Sequence, residues 1–146
     1  MNADPTATEA AARPSCLHEL LTAAVRAHPQ RIALDIPPGP QRPARVEWTY
    51  AELEAQAARV RGAVEQHVTG ECVVAVLLAR HDPALFAAQI GVLRCGAAFV
   101  CPDPLFPDSH LRFVLADSGA VAVVTDEAGA ARLAGIGIPL LDVAAL

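Results

Sequence analysis

The sequence predicts an α/β fold, with a partial, mostly parallel sheet covered by helices. Aliphatic runs of strand length alternate with amphipathic segments of helix length, and this alternation requires crossovers between parallel strands. The run Cys72 to Leu78 is continuously apolar, which is typical of a central strand buried on both faces. With 53% hydrophobic and 18% charged residues in a chain of 146, there is ample material for one core.

The first third of the chain predicts a leader, a helix and a hairpin. Residues 1–14 are polar and are expected to form a flexible leader. Ser15 is predicted to cap a helix over 17–28 that presents one apolar face. The extended runs 31–36 and 45–48 flank a proline-rich loop and predict a hairpin. The apolar face of the first helix comprises Leu17, Leu20, Leu21, Ala24 and Val25.

The middle of the chain predicts one helix before the central strand and one after it. Thr49 and Glu52 have the spacing of a capping box, in which each side chain bonds the backbone N–H of the other. The helix that they open is expected to end near His67. Asp82 is predicted to cap the next helix, which ends before Gly96. The expected apolar positions are Leu53, Ala57, Val60 and Val64 in the first helix, and Leu85, Phe86, Ile90 and Leu93 in the second.

The last third continues the alternation of strands and helices. Pro102, Pro104 and Pro107 predict an irregular loop after a short buried strand. The predicted strands are 97–100, 120–125 and 138–143, and the predicted helices run from Asp108 or Ser109 to Gly119 and over 126–133. Gly135 and Gly137 follow the last helix and predict a turn. Together these elements predict one incomplete domain over 15–146.

The charge balance excludes several classes of function. The net charge is −5, and all 11 basic residues are arginines because the chain contains no lysine. An acidic chain without a basic run is not expected to bind nucleic acid or an anionic membrane. The absence of lysine excludes a Walker-type phosphate loop, a Schiff base and a Ser–Lys dyad within these residues.

The sequence shows no membrane span and no signal peptide. No apolar run approaches the roughly 20 residues that a transmembrane helix requires. The N-terminus lacks the basic start and the apolar stretch of a secretory signal. We therefore expect a cytoplasmic protein whose cysteines are reduced.

Asp103 is the most suggestive carboxylate in the sequence. It lies between two prolines directly after a predicted strand, and open α/β sheets bind their ligands at the carboxyl ends of strands. The alternative interpretation, which we favour, is that Asp103 fixes its loop by accepting hydrogen bonds from nearby backbone amides.

The other chemistry-bearing residues form no recognisable site. Ser118 lacks a nucleophile-elbow motif and is expected to be a helix-end residue. The five histidines are scattered without an HxxxH pair, and surface or helix-end roles are expected for His18, His28, His67, His81 and His110. The cysteines contain no CxxC pair, so a zinc site is not expected at Cys16, Cys72, Cys95 or Cys101.

Three segments carry a resemblance to a known family. The stretch LHELLTAAVRAHPQRIAL, residues 17–34, resembles the opening of an amino-acid adenylation domain of a nonribosomal peptide synthetase, within the AMP-binding, adenylate-forming superfamily. The segment WTYAEL, residues 48–53, is similar to the first core motif of that family. The segment LRCGAAFVCPDPLFPDSHLRFVLADSGA, residues 93–120, is similar to the second. The resemblance covers nearly all of 17–146.

The second motif departs from the usual family pattern at several positions. Arg94 and Cys95 replace Lys–Ala, Cys101 and Pro102 replace a proline and an aliphatic residue, and His110 replaces an arginine. These changes indicate a divergent member or one under relaxed selection, and the sequence does not distinguish the two.

The resemblance implies two-step chemistry for the complete family enzyme. A carboxylic acid attacks the α-phosphate of ATP, and the acyl-adenylate passes to a thiol, usually on a carrier protein. The family uses a Gly-rich loop ending in Pro-Lys-Gly, a ribose-binding Asp, Mg²⁺ and a mobile Lys for this reaction, and none of these elements matches a segment here. We therefore assign no catalytic, cofactor-binding or metal-binding residue, and we predict that this chain alone binds no ATP or Mg²⁺ and is inactive.

Three other interpretations remain open at this point. The chain is alternatively a non-catalytic half-domain that complements the missing remainder of an adenylation domain or docks on a separate synthetase subunit. It is alternatively a fragment of an acyl-CoA or fatty-acyl ligase of the same superfamily, or an unrelated small α/β domain. Because a partial sheet leaves an open edge and an unfinished apolar face, we predict marginal stability or association with a partner.

Overall fold

A computed structural model describes residues 16–40 and 42–146, so the predicted leader and the predicted cap Ser15 lie outside the described residues. The strands are β1 (Ile32–Ile36), β2 (Val46–Thr49), β3 (Val73–Leu77), β4 (Ala98–Val100), β5 (Ala120–Thr125) and β6 (Leu140–Asp142). The helices are α1 (Leu17–Ala27), α2 (Tyr50–Val64, followed by a 3₁₀ turn at Glu65–His67), α3 (Ala84–Arg94), α4 (Asp108–Asp117) and α5 (Glu127–Arg132). Each predicted element is present, with bounds that differ by a few residues at most.

The main sheet has four parallel strands in the order β4-β3-β5-β6. Each pair of sequential strands in this sheet is joined through a helix, which is the crossover pattern that the alternation predicts. Val73 of the central strand lies beside Ala98 on one side and Ala120 on the other. The hairpin β1-β2 is a separate antiparallel pair, with Ile36 opposite Val46.

The central strand is buried on both faces, as its continuous apolar run predicts. Val74 and Val76 belong to the core under α2 and α3, whereas Ala75 and Leu77 belong to the core under α4. Burying a Val or Leu side chain fully stabilises a fold by roughly 1.5–3 kcal/mol, so β3 anchors both halves of the domain. The helices contribute Val60, Val64, Ala88 and Val92 to the first core, and Leu111 and Leu115 to the second. Leu133, directly after α5, also belongs to the second core.

The capping box at the start of α2 confirms a prediction from local sequence. The Glu52 backbone N–H donates to Thr49 Oγ1 at 3.2 Å, and the Thr49 backbone N–H donates to Glu52 Oε2 at 2.7 Å. These bonds hold the pKa of Glu52 below its usual range, the backbone donor at Thr49 being the main cause. The four residues of the predicted apolar stripe of α2 are all buried.

Two predicted apolar faces are only partly correct. On α1, Leu21 is buried, but Leu17 is 68% exposed and Leu20 is 53% exposed. On α3, Leu85 is buried but Phe86 is 38% exposed, and the buried face consists mainly of small residues: Ala84, Ala87, Ala88 and Gly91. The small side chains of this face allow α2 to pack closely against α3. A prediction that relies on bulky apolar residues misses a buried face of this kind.

Candidate functional site

The loops that follow the parallel strands meet at one end of the sheet, which we call the carboxyl edge: residues 78–82 after β3, residues 101–107 after β4, and Asp126 after β5. In open α/β sheets this is the end at which ligands bind. The carboxyl edge is therefore the candidate functional site, and it contains the residue singled out from the sequence, Asp103.

Asp103 fixes the loop after β4. Its Oδ1 accepts a hydrogen bond from the Leu105 N–H at 2.9 Å, and its backbone carbonyl accepts one from the Phe106 N–H at 3.0 Å. Its Oδ2 lies 3.5 Å from Nη2 of Arg80, which follows β3 and is largely exposed. The two backbone bonds are those of the loop-fixing interpretation, and the ion pair with Arg80 connects this loop to the loop after β3.

Arg132, the last residue of α5, also bonds to the loop after β4. Its Nε and Nη2 lie 2.7 Å from Asp108 Oδ1, and the guanidinium also donates to the backbone carbonyls of Pro104 and Phe106. Arg112 donates in turn to the carbonyl oxygen of Arg132 at 3.1 Å. The sequence does not signal this arrangement, because Arg132 is separated by 24 residues from the carboxylate it pairs with.

At the end of β5, the polar side chains make hydrogen bonds to the backbone of neighbouring segments. Thr125, a buried polar residue, donates from Oγ1 to the Leu77 carbonyl at 3.0 Å. Asp126 Oδ1 accepts from the Gly129 N–H at 2.7 Å and caps α5. A Cβ on Gly129 would lie 2.0 Å from Thr125 Oγ1, so only glycine allows α5 to approach this strand end.

The residues at the carboxyl edge do not fit ATP or Mg²⁺. The carboxylates of Asp82, Asp103 and Asp126 each accept a hydrogen bond from a backbone N–H two or three residues further along the chain. No group of three or more His, Cys, Asp or Glu side chains among the described residues could hold a metal ion. The chain also contains no lysine and no glycine-rich motif of the kind that cradles phosphates. The carboxylates of this edge therefore hold the backbone of neighbouring residues.

The histidines and Ser118 remain apart from one another. His110 lies between two exposed phenylalanines, with ring centroids 4.6 Å from Phe106 and 6.3 Å from Phe113. His81 lines a separate cavity near the hairpin loop. Ser118 is at the C-terminal end of α4, where its hydroxyl donates to the Leu115 carbonyl at 3.3 Å. The structure therefore brings no Ser–His or His–carboxylate pair together within the part of the chain that it describes.

Cys72, Cys95 and Cys101 are thiols outside any disulfide, and the pKa values of Cys95 and Cys101 are raised. Burial raises the pKa of Cys95, whose Sγ lies 3.4 Å from the Gly91 carbonyl. Burial also raises the pKa of Cys101, although a hydrogen bond from Gln89 opposes the shift. A raised pKa keeps both thiols protonated near neutral pH, so neither resembles an activated nucleophile.

The helices that the structure describes do not meet the requirements of a membrane span. None of them combines the length and the hydropathy that a transmembrane helix needs.

The comparison with protein families gives one match over most of the chain. The family described as "AMP-binding enzyme" matches residues 21–140, which run from α1 into β6. The matched region therefore includes the hairpin, the whole of the central strand and the loop fixed by Asp103.

Several of the curated relatives are named as nonribosomal peptide synthetases, one of them from Cochliobolus heterostrophus. The chain is 32% identical over 139 residues to the AMB antimetabolite synthetase AmbB of Pseudomonas aeruginosa, covering 91% of this chain and 10% of AmbB. It is also 32% identical over 112 residues to one of the polypeptides of the linear gramicidin synthase of Brevibacillus parabrevis, covering 76% of this chain and 1% of that polypeptide. The chain thus spans a small fraction of the relatives that it matches.

The solved structures with the same fold come from larger proteins. A structure of Klebsiella oxytoca NpsA in complex with 3-hydroxyanthranilyl-AMSN matches 86% of this chain and 24% of NpsA, with a TM-score of 0.69 and 20% identity. The fatty acid AMP ligase from Legionella pneumophila matches 90% of this chain and 24% of the ligase, with a TM-score of 0.74 and 17% identity. At these identities the likeness is one of fold.

Proposed function

Because this chain belongs to the AMP-binding enzyme family, we propose that residues 15–146 form the N-terminal portion of an amino-acid adenylation domain of a nonribosomal peptide synthetase. The observation that carries the proposal is the family match over residues 21–140. The synthetase relatives favour amino-acid activation over the other chemistries of the superfamily.

In this proposal the complete domain activates a carboxylic acid with ATP and passes the acyl-adenylate to the thiol of a carrier protein. Family enzymes use ATP and Mg²⁺ for the first step, and both would be held by segments other than this chain. The residues described here contribute the sheet, its covering helices and the hydrogen-bonded loop after β4. Their role is to fix the positions of strand ends, which is how scaffolds orient reacting groups. The chain alone would be inactive.

The direct test is a chimera that joins this chain to the remainder of an adenylation domain from the linear gramicidin synthase. We expect amino-acid-dependent ATP–pyrophosphate exchange from the chimera and none from this chain alone. The unaltered relative serves as the positive control, and the relative's remainder without any N-terminal portion serves as the negative control. Exchange catalysed by this chain alone would contradict the proposal.

A second arm of the same experiment separates amino-acid activation from fatty-acyl activation. The fold is shared with a fatty acid AMP ligase, so a second chimera joins this chain to the remainder of that ligase. We expect amino-acid-dependent pyrophosphate exchange from the synthetase chimera and no fatty-acid-dependent exchange from the ligase chimera. Exchange from the ligase chimera alone would favour an acyl-ligase fragment.

A second candidate function is a non-catalytic half-domain that docks on a separate synthetase chain. It is favoured by the strands β4 and β6, which each pair with only one neighbour among the described strands. An edge strand offers unpaired backbone groups to another chain. This candidate predicts co-elution with a separately expressed remainder without recovery of pyrophosphate exchange, whereas a split enzyme would recover exchange.

A further inference from the structure

Two cysteines lie at the amino end of the sheet, where the parallel strands begin and which is opposite to the carboxyl edge. Cys72 directly precedes β3, and Cys95 directly follows α3. The Cys72 carbonyl accepts a hydrogen bond from the N–H of Ala98, the first residue of β4, at 2.9 Å. Because Cys95 comes three residues before Ala98, the chain itself keeps their Cα atoms within about 11 Å of each other. The fold therefore brings together two cysteines that are distant in sequence.

Both thiols face the same core. Side chains alternate between the two faces of a strand, so Cys72 shares its face with Val74 and Val76, under α2 and α3. Cys95 packs against that same core, with its Sγ 3.5 Å from the Arg61 carbonyl oxygen of α2. The two side chains therefore lie on one face of the sheet and at one end of it.

The acidity of Cys95 reflects the same neighbourhood. Burial is the main cause that raises its pKa, the charge of Glu65 raises this pKa further, and the charge of Arg61 lowers it. The charge of Cys72 also raises the pKa of Cys95. Charges in salt solution are largely screened from each other beyond about 10 Å, so this influence agrees with a short distance between the two thiols.

The pair is open to a small reagent from the side of Cys72. Cys72 is partly exposed and lines a cavity of about 410 Å³ together with Glu71, Gly96 and Ala98. Cavities of this size admit small molecules. Alanine is usual at the position of Cys95 in the second core motif, so the fold does not require a thiol there.

We propose that Cys72 and Cys95 form a redox-sensitive dithiol, which glutathione disulfide oxidises to an intramolecular disulfide. The Cys72 thiolate attacks one sulfur of glutathione disulfide and releases one glutathione thiolate. The Cys95 thiolate then attacks the Cys72 sulfur of this mixed disulfide and releases the second glutathione thiolate.

The two steps balance. Two protein thiols are oxidised, glutathione disulfide is reduced to two molecules of glutathione, and the released thiolates take up the two protons that the cysteines lose. The new bond ties the end of α3 to the start of β3. This site is independent of the proposed function, because it uses no residue of the carboxyl edge.

The test uses the full chain carrying Cys16→Ser and Cys101→Ser, which leaves only the proposed pair. Folded and urea-unfolded samples are equilibrated with mixtures of glutathione and glutathione disulfide. Mass spectrometry measures the species that has lost two hydrogen atoms. We expect the equilibrium constant for this disulfide to be at least about tenfold higher in the folded protein than in urea, because the fold holds the thiols together.

The matched control carries Cys16→Ser and Cys72→Ser, which leaves Cys95 with Cys101. Cys101 follows β4 at the carboxyl edge, where its Sγ accepts a hydrogen bond from Gln89 at 3.4 Å. These two cysteines are close in sequence but lie at opposite ends of the sheet. The order should therefore reverse, with more of their disulfide in urea than in the folded protein.

Peptide mapping of the oxidised wild type provides a second measurement, which decides if the serine variants do not fold. We expect the peptide containing Cys72 to be linked mainly to the peptide containing Cys95. An equilibrium constant for the Cys72–Cys95 disulfide that is no higher in the folded protein than in urea would overturn the proposal. A wild-type map dominated by other pairings would overturn it as well.

Discussion

The guanidinium of Arg94 and the carboxylate of Glu54 form two parallel hydrogen bonds, each 2.7 Å long. Nη2 of Arg94 also lies 3.2 Å from Thr22 Oγ1, so this one side chain connects α1, α2 and α3. The arginine side chain is only 11% exposed. Lysine is usual at this position in the second core motif, and only arginine offers the two parallel N–H groups that pair with Glu54 here.

We predict that Arg94→Lys lowers the free energy of unfolding by about 1–2 kcal/mol, because a single ammonium replaces the two-bond pair and loses Thr22. Urea denaturation measures the change. Arg61→Lys is the control, since its pair with Glu65 is exposed on both sides, and it should change stability by less than about 0.5 kcal/mol. Equal effects of the two substitutions would show that the paired geometry is not what stabilises this junction.

The crossing of α2 and α3 depends on a glycine. A Cβ on Gly91 would lie 2.8 Å from the Cβ of Val60 and 2.9 Å from the Ala57 carbonyl oxygen. We predict that Gly91→Ala destabilises the protein by about 1–3 kcal/mol, because the two helices must move apart. Thermal unfolding followed by circular dichroism measures the loss.

Gly62→Ala is the control for Gly91→Ala, and it should change the stability in the opposite direction. Gly62 lies within α2, and a Cβ added there would have nothing within 4 Å, so alanine should stabilise the helix by about 0.5–1 kcal/mol. A stabilising effect of Gly91→Ala would mean that the two helices pack less closely than these distances indicate.

The elements and the central strand could be predicted from the sequence because their signals are local. Thr49 and Glu52 are three residues apart, and the apolar run around Val76 needs no partner to be recognised. The buried face of α3 could not be predicted, because alanines and Gly91 carry little hydrophobic signal and acquire their role only when α2 packs against them.

The candidate site was only partly predictable for a similar reason. The position of Asp103 after a strand indicated the carboxyl edge correctly, and its loop-fixing bonds are local. The contacts of Arg132 with Pro104 and Asp108 join segments that are distant in sequence. Only folding brings these segments together, because no rule of sequence spacing predicts a contact between an arginine in α5 and the loop before α4.

The rigidity of the loop after β4 should depend on Arg132. We predict that Arg132→Gln increases amide hydrogen exchange at Leu105 and Phe106 by about tenfold, because the loop loses charge-assisted bonds to its backbone carbonyls. Arg26→Gln removes an arginine from α1, far along the chain from this loop, and should leave these amides unchanged. Unaltered exchange in Arg132→Gln would indicate that Asp103 alone holds the loop.

The exposed apolar surface predicts association of the isolated chain. Leu105 is 89% exposed and Phe113 is 62% exposed, on and just before α4. We predict concentration-dependent self-association in size-exclusion chromatography, reduced in the double variant Leu105→Ser and Phe113→Ser. Ala116→Ser, at an exposed position on the same helix, should not change the elution. A monomer that melts cooperatively at all concentrations would contradict this prediction.

The reactivity of Cys95 should respond in opposite directions to two neighbouring charges. Burial is the main cause that raises the pKa of Cys95, the charge of Glu65 raises it further, and the charge of Arg61 lowers it. At pH 8 we therefore expect iodoacetamide to alkylate Cys95 more slowly than free cysteine, because less of it is thiolate. Glu65→Gln should accelerate the reaction, and Arg61→Gln should slow it.

Mass spectrometry of the labelled peptides separates Cys95 from the other three cysteines. Both charges lie at the surface, so the two effects should shrink as salt is added. The raised pKa also predicts a loss of stability as the pH rises above the ordinary thiol value of 9.0, because the unfolded chain releases the proton first. Slower labelling in Glu65→Gln, or labelling of the folded wild type at the rate of free cysteine, would refute this account of the Cys95 environment.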